Sequence, residues 1–193
     1  MEEQLLSLLS ARRGHFLLES GHHGNLWLDL DALFVRPAAL LPFTRELARR
    51  LAAYRLEAVV GPLVGGAFVG QMVAADLDTH FAFAERHADV HDVTYTVPAA
   101  FHDHLRGKAV AIVDDAINAG SATRATLAAL KAIGARPVAV AALLILGEAA
   151  LPAFAANGLA VESIARLPNE LWEPTQCPMC AAGVPISNPM AGD

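Results

Sequence analysis

Apolar residues fall in short blocks along this chain, and their spacing within each block separates strands from helices. Ala58–Gly61, His80–Ala84, Ala109–Val113, Val138–Ile145 and Ala160–Ile164 are brief apolar runs, mostly rich in β-branched residues, that read as buried strands. Between them lie segments of helical spacing. Leu40–Leu51 is opened by the fixed φ of Pro37, an alanine-rich stretch runs to Ala75, Ala125–Ile133 is stopped by Gly134, and a further helix falls near Ala149–Ala156. This alternation predicts an α/β fold, a parallel twisted sheet flanked by helices. Ahead of it, Gln4–Ala11 has the spacing of a short amphipathic helix. Phe16–Leu18 and Leu26–Asp29 predict a hairpin turning through His22, His23, Gly24 and Asn25. Glu85–Arg106 is polar and histidine-rich, with a strand at Val93–Val97 and His87, His91, His102 and His104 expected in a loop. The chain reads as one domain over 1–193: an N-terminal segment (1–36), an α/β core (37–165) and a proline-rich, mostly irregular tail (166–193).

In such sheets ligands collect outside the carboxyl ends of the strands. There the run Ala109–Val113 ends in two adjacent carboxylates, Asp114 and Asp115, followed by a small-residue loop and a helix start. Backbone N–H groups of Ala119, Gly120, Ser121, Ala122 and Thr123 can wrap a phosphate monoester, which the helix dipole favours. Gly120 allows close approach, Ser121 and Thr123 add hydroxyls, and Asp114 and Asp115 can accept hydrogen bonds from ribose hydroxyls. Gly61–Pro62–Leu63–Val64–Gly65–Gly66 follows another strand at the same edge, so the amides of Val64, Gly65 and Gly66 can face a second anion.

The strand, acidic pair and Gly/Thr loop resemble the phosphoribosyl pyrophosphate (PRPP) signature of the type I phosphoribosyltransferases. The N-terminal pattern Gly14–His–Phe16, Ser20–Gly21 and a strand bearing Trp27 resembles the orotate branch of that family, where this segment forms a hood over the base. The resemblance implies a Mg²⁺-dependent enzyme that transfers the phosphoribosyl group from PRPP to a nucleobase, orotate-like or another planar base, and releases pyrophosphate. It implies catalytic roles for Asp114, Asp115 and Arg86, pyrophosphate held at Val64–Gly66, a base framed by Trp27 and Arg124, and a homodimer. Where the orotate branch carries lysines, this chain has Leu63–Val64, Glu19, and a stretch from Ala84 to Asp92 whose only cationic candidates are Arg86, His87 and His91. Glu19 suits a neutral or amino-bearing base better than orotate, so the acceptor stays open. A second reading, a PRPP- or nucleotide-sensing regulator on the same fold, rests on that thinned set of cations.

Composition narrows the setting. The chain is 54% hydrophobic with net charge −6, and its basic residues are scattered, which argues against a nucleic-acid-binding face. No apolar run approaches the roughly 20 residues that span a bilayer. Met1–Glu2–Glu3 lacks a basic leader region, so a cytoplasmic protein is expected. The two cysteines, Cys177 and Cys180, form one C-x-x-C pair, half of a structural Zn²⁺ site. A second copy across a dimer, or histidines from elsewhere, would complete it, although the eight histidines show no metal-binding spacing of their own.

Overall fold

The computed structural model, which describes residues 1–18, 20–88 and 93–189, folds these blocks into two sheets. The elements in chain order are α1 (Glu2–Leu6), β1 (Ser10–Leu17), β2 (His23–Asp29), α2 (Pro37–Leu51), β3 (Ala58–Pro62), α3 (Gly65–Leu77), β4 (His80–Ala88) and β5 (Val93–Thr96). They continue as α4 (His102–Leu105), β6 (Ala109–Ile117), α5 (Ser121–Ala132), β7 (Arg136–Leu146), α6 (Leu151–Ala156), β8 (Ala160–Leu167), β9 (Leu171–Trp172) and α7 (Pro178–Ala181). The six-stranded sheet has the order β5-β4-β3-β6-β7-β8, parallel throughout except for the antiparallel edge strand β5.

Its central strands are apolar on both faces because helices cover both. Along β6, Ala111 and Val113 join the core under α2 and α3, while Val110 and Ile112 join the core under α5 and α6. All four are fully buried. At about 25 cal/mol per Å² of apolar surface removed from water, this two-sided burial is the main force that seats β3 beside β6. Their parallel register, Val60 opposite Ile112, then brings the two loops expected to bind anions to one edge of the sheet.

The N-terminal region departs from the pattern reading. The expected helix over Gln4–Ala11 is shorter and earlier, at Glu2–Leu6, and Ser10 onward is strand, because Ser10 and Ala11 pair with Asp29 and Leu28 across the hairpin. Between the two strands the Leu18 N–H donates to His22 O (3.0 Å) and the Gly21 N–H to Leu18 O (2.9 Å), with Gly21 at φ +79°. His23, Gly24 and Asn25 therefore belong to β2 rather than to the turn. The acidic pair likewise lies within β6, not beyond it: Asp114 still pairs in register with Ala142 of β7.

The tail is more ordered than expected. β9 pairs antiparallel with β2 (His23 opposite Trp172), and Ser187 bridges to Phe16 on β1, so the tail grips both edges of the hairpin. The N-terminal segment and the tail, at opposite ends of the chain, thus form one three-stranded sheet, β1-β2-β9. The expected loop after β4 is in its described part a strand pair. His87 extends β4 and its Nε2 lies 2.7 Å from Thr96 Oγ1, while His102 and His104 sit on α4. His91 and Glu19 lie outside the described residues.

Candidate active site

At the carboxyl edge of the large sheet, β6 delivers Asp114 and Asp115 against the glycines that open α3. A methyl group on Gly65 would sit 2.1 Å from Asp115 Oδ2, and one on Gly66 would sit 2.6 Å from Asp114 Oδ1. Gly61 is required on packing grounds too, since its added carbon would fall 2.2 Å from Gly66 O. The glycine-rich turn therefore packs tightly and also holds two carboxylates against its backbone.

Asp114 is only 6% exposed. Burial, then the charge of Asp115, holds its carboxyl well above the usual carboxylate range, and burial raises Asp115 as well. A cation, or hydrogen-bond donors such as hydroxyls, would favour the charged form and oppose that rise. Thr123 Oγ1 donates to Asp114 Oδ2 at 3.2 Å and is fully buried, so its hydroxyl, expected to face a phosphate, instead positions the carboxylate.

Asn118, Ala119 and Gly120 lead from β6 into α5. Gly120 has φ +73°, a left-handed conformation that suits glycine, and an added methyl would meet Ala150 Cβ at 2.8 Å. No side chain caps α5, and the first intrahelical bond runs from the Arg124 N–H to Gly120 O (2.9 Å). The N–H groups of Ser121, Ala122 and Thr123 therefore stand at an open helix start that attracts an anion. Arg124, a cation in that first turn, opposes the dipole by about 0.3–1 kcal/mol. Its Nη1 donates to Ala119 O, and a charge-assisted bond of about 1.5–3 kcal/mol outweighs that penalty.

Beside this loop opens a pocket of about 320 Å³ lined by His22, Ala119, Arg124, Leu171, Trp172 and Gln176, among others. Arg124 is where a base-binding residue was expected. Trp27 is not in the lining: its ring packs against Phe16 (centroids 6.3 Å apart) within the hairpin. The aromatic wall comes from Trp172 on β9, and His22 beside it lies 3.1 Å from Glu173. The sequence concealed this wall because Trp172 sits in a segment without strand periodicity, and only pairing with His23 makes it a strand. Arg86 is exposed on β4, two residues beyond Ala84, whose carbonyl accepts the Leu63 N–H at 2.9 Å. It stands at the same sheet edge as the glycine loop, without a described contact to Asp114 or Asp115.

The family model for the phosphoribosyl transferase domain matches residues 41–153, more than half of the chain. Orotate phosphoribosyltransferase from Thermotoga maritima is 30% identical over 179 residues, covering 91% of this chain and 89% of the relative. The enzyme of the same name from Caldanaerobacter subterraneus is 28% identical over 177 residues, 92% and 88% of the two chains. Among solved structures, orotate phosphoribosyltransferase from Aeropyrum pernix superposes with TM-score 0.66 and 25% identity over 81% of this chain and 88% of that one. Adenine phosphoribosyltransferase from Thermoanaerobacter pseudethanolicus shares the fold at TM-score 0.68 and 16% identity, over 86% and 99%.

Proposed function

Because the chain belongs to the phosphoribosyl transferase domain family, and so catalyses PRPP-dependent phosphoribosyl transfer to a nucleobase, we propose that its acceptor is orotate. The observation that carries the site is the packing of Asp114 and Asp115 on Gly65 and Gly66 beside the uncapped start of α5. In this reading the amides of Ala119, Gly120, Ser121, Ala122 and Thr123, with the Ser121 hydroxyl, hold the 5′-phosphate. Asp114 and Asp115 accept the ribose hydroxyls, and the amides of Val64, Gly65 and Gly66 hold the pyrophosphate. As the C1–O bond breaks, positive charge develops on the ribose, and buried Asp114 with partly buried Asp115 stabilises it. The base nitrogen then forms the C1–N bond, and Arg86 offers the departing pyrophosphate a cation at the same sheet edge. Mg²⁺ suits the carboxylate oxygens beside Gly65, and when bound it supplies charge neutralisation for the pyrophosphate.

Orotate is favoured by the names of the relatives and by Arg124 and His22, two groups able to meet a carboxylate in the pocket, with Trp172 offering a face for the ring. We further place the enzyme in the cytoplasm as a homodimer. Its cysteines are free, as a reducing compartment requires. No helix among the described residues is long and apolar enough to cross a membrane. Exposed Val64, which precedes α3, and Phe68 on α3, with Phe34 against Phe68 and Val35 next to Phe34 in sequence, form an apolar patch at the active-site edge.

The test is pyrophosphate release from Mg²⁺–PRPP with orotate, uracil, adenine and guanine, run on the parent and on Trp172→Ala and Trp27→Ala. Turnover with orotate, a KM for orotate raised about tenfold by Trp172→Ala, and little change with Trp27→Ala are expected, since a stacked ring is worth about 0.5–1.5 kcal/mol beyond the area it buries. Turnover with a purine alone would overturn the acceptor. A larger effect from Trp27 than from Trp172 would overturn the pocket.

A further inference from the structure

Away from the active site, the hairpin and the tail meet at a cluster that phosphoribosyl transfer does not use. His15 Nε2 lies 3.1 Å from His23 Nδ1, 3.3 Å from Cys177 Sγ and 3.7 Å from Cys180 Sγ, and Cys180 Sγ lies 3.3 Å from His23 Nδ1. All four potential ligand atoms lie within 4.8 Å of one another. We propose that His15, His23, Cys177 and Cys180 bind one structural Zn²⁺ ion that fastens the C-terminal tail to the N-terminal hairpin.

The geometry matches that ion. Zn–S bonds of about 2.3 Å and Zn–N bonds of about 2.0–2.1 Å, arranged tetrahedrally, put nitrogen atoms roughly 3.3 Å apart and nitrogen and sulfur roughly 3.6 Å apart. Two thiolates and two imidazoles are a donor set suited to zinc, not to the oxygen-seeking Mg²⁺.

Each ligand is set by its element. Cys177 is the extended N-cap of α7 and Cys180 lies one turn on, which turns both sulfurs to one side. His15 sits in the irregularity between Arg13 and Phe16 on β1, and His23 pairs opposite Leu17, so the two rings share a face of the hairpin. His15 Nδ1 lies 2.9 Å from Val184 O, and donating to that carbonyl leaves Nε2 as a lone pair aimed into the cluster. Outer hydrogen bonds of this kind commonly orient zinc-bound histidines.

A metal-free arrangement fits less well. Three groups crowd the Nε2 atom of His15, whose single lone pair accepts one proton. His15, His23 and Cys177 are buried, where water cannot satisfy what remains. With four protein ligands the coordination is closed, which marks a structural site and not a catalytic one. It also bears on the pocket, because His22 and Gln176 each adjoin a ligand in sequence and both line the pocket wall.

The experiment uses the full chain without an affinity tag, purified without chelator. Elemental analysis should find roughly one zinc per chain. Exchange with Co²⁺ should give the intense visible bands of a tetrahedral ion together with a thiolate-to-cobalt charge-transfer band. Cys180→Ser, at the exposed rim, should fold yet lose at least about nine-tenths of the zinc, and a strong chelator should lower the Tm of the parent to that of the variant without moving the variant. The proposal is overturned if the parent, incubated with Zn²⁺ and desalted, retains less than about a tenth of an equivalent, or if cobalt shows only a six-coordinate spectrum. A Cys177–Cys180 disulfide, detected as no titratable thiol in the denatured, unreduced chain, would overturn it as well.

Discussion

Asp114 combines a burial that opposes folding with the role proposed for it at the ribose. Its carboxyl is pushed well above the ordinary value by burial and then by Asp115, so the folded chain resists the ionised form. In the unfolded chain it titrates near the ordinary carboxylate value. The unliganded fold is therefore favoured most below that value and loses stability as pH rises toward the folded one. Asp114→Asn removes the buried charge and keeps an oxygen to accept from Thr123. It should melt at or above the parent temperature at neutral pH, with a shallower decline in Tm as pH rises above about 4. Its PRPP-dependent turnover should fall at least about 10²-fold, the scale of losing one preorganised electrostatic group. Melting curves across pH and the pyrophosphate assay check both parts, and a lower Tm at neutral pH would contradict the burial argument. The identity of this residue was legible from the adjacent acids after an apolar run. Its burial and its bond with Thr123 were not, because they depend on α5 packing back over the end of β6.

Among the elements, α5 and its entry loop carry the clearest consequence. Gly120 combines φ +73° with an added-methyl contact of 2.8 Å to buried Ala150, whereas Gly134, beyond the other end of α5, has φ +80° and open space to 3.5 Å. Alanine at either site costs about 1–2 kcal/mol for the left-handed backbone. Only Gly120→Ala should also displace the N–H groups at the helix start, raising the KM for PRPP by about tenfold or more, with Gly134→Ala as the control of matched strain. Circular dichroism should show both folded, and equal KM values in the two variants would remove the phosphate role from the loop. α2 and α5 were readable because each keeps one apolar face over about three turns or more, and α3 because it is an alanine-rich run after a strand. The reading of Gln4–Ala11 as helix failed because pairing of Ser10 and Ala11 with β2 outweighs helical spacing in so short a segment.

For the molecule as a whole, the exposed patch of Val35, Val64 and Phe68 predicts that light scattering will find twice the chain mass, and that Phe68→Glu will yield monomers with secondary structure retained. A monomeric parent at micromolar concentration would refute the dimer. The α/β order, the strands of the large sheet and the positions of the two loops at its carboxyl edge could be read from the chain alone, because periodicity and turn residues act over a few neighbours. The strand pairing of the tail, the place of Trp172 rather than Trp27 in the pocket lining, and the meeting of His15 and His23 with Cys177 and Cys180 could not be read from it. These features share a cause. Each contact spans nearly the whole chain, from the β1–β2 hairpin to the tail. Local pattern carries no information on such pairings, which are settled by which edges the folded core leaves open and which side chains the hairpin register turns toward them.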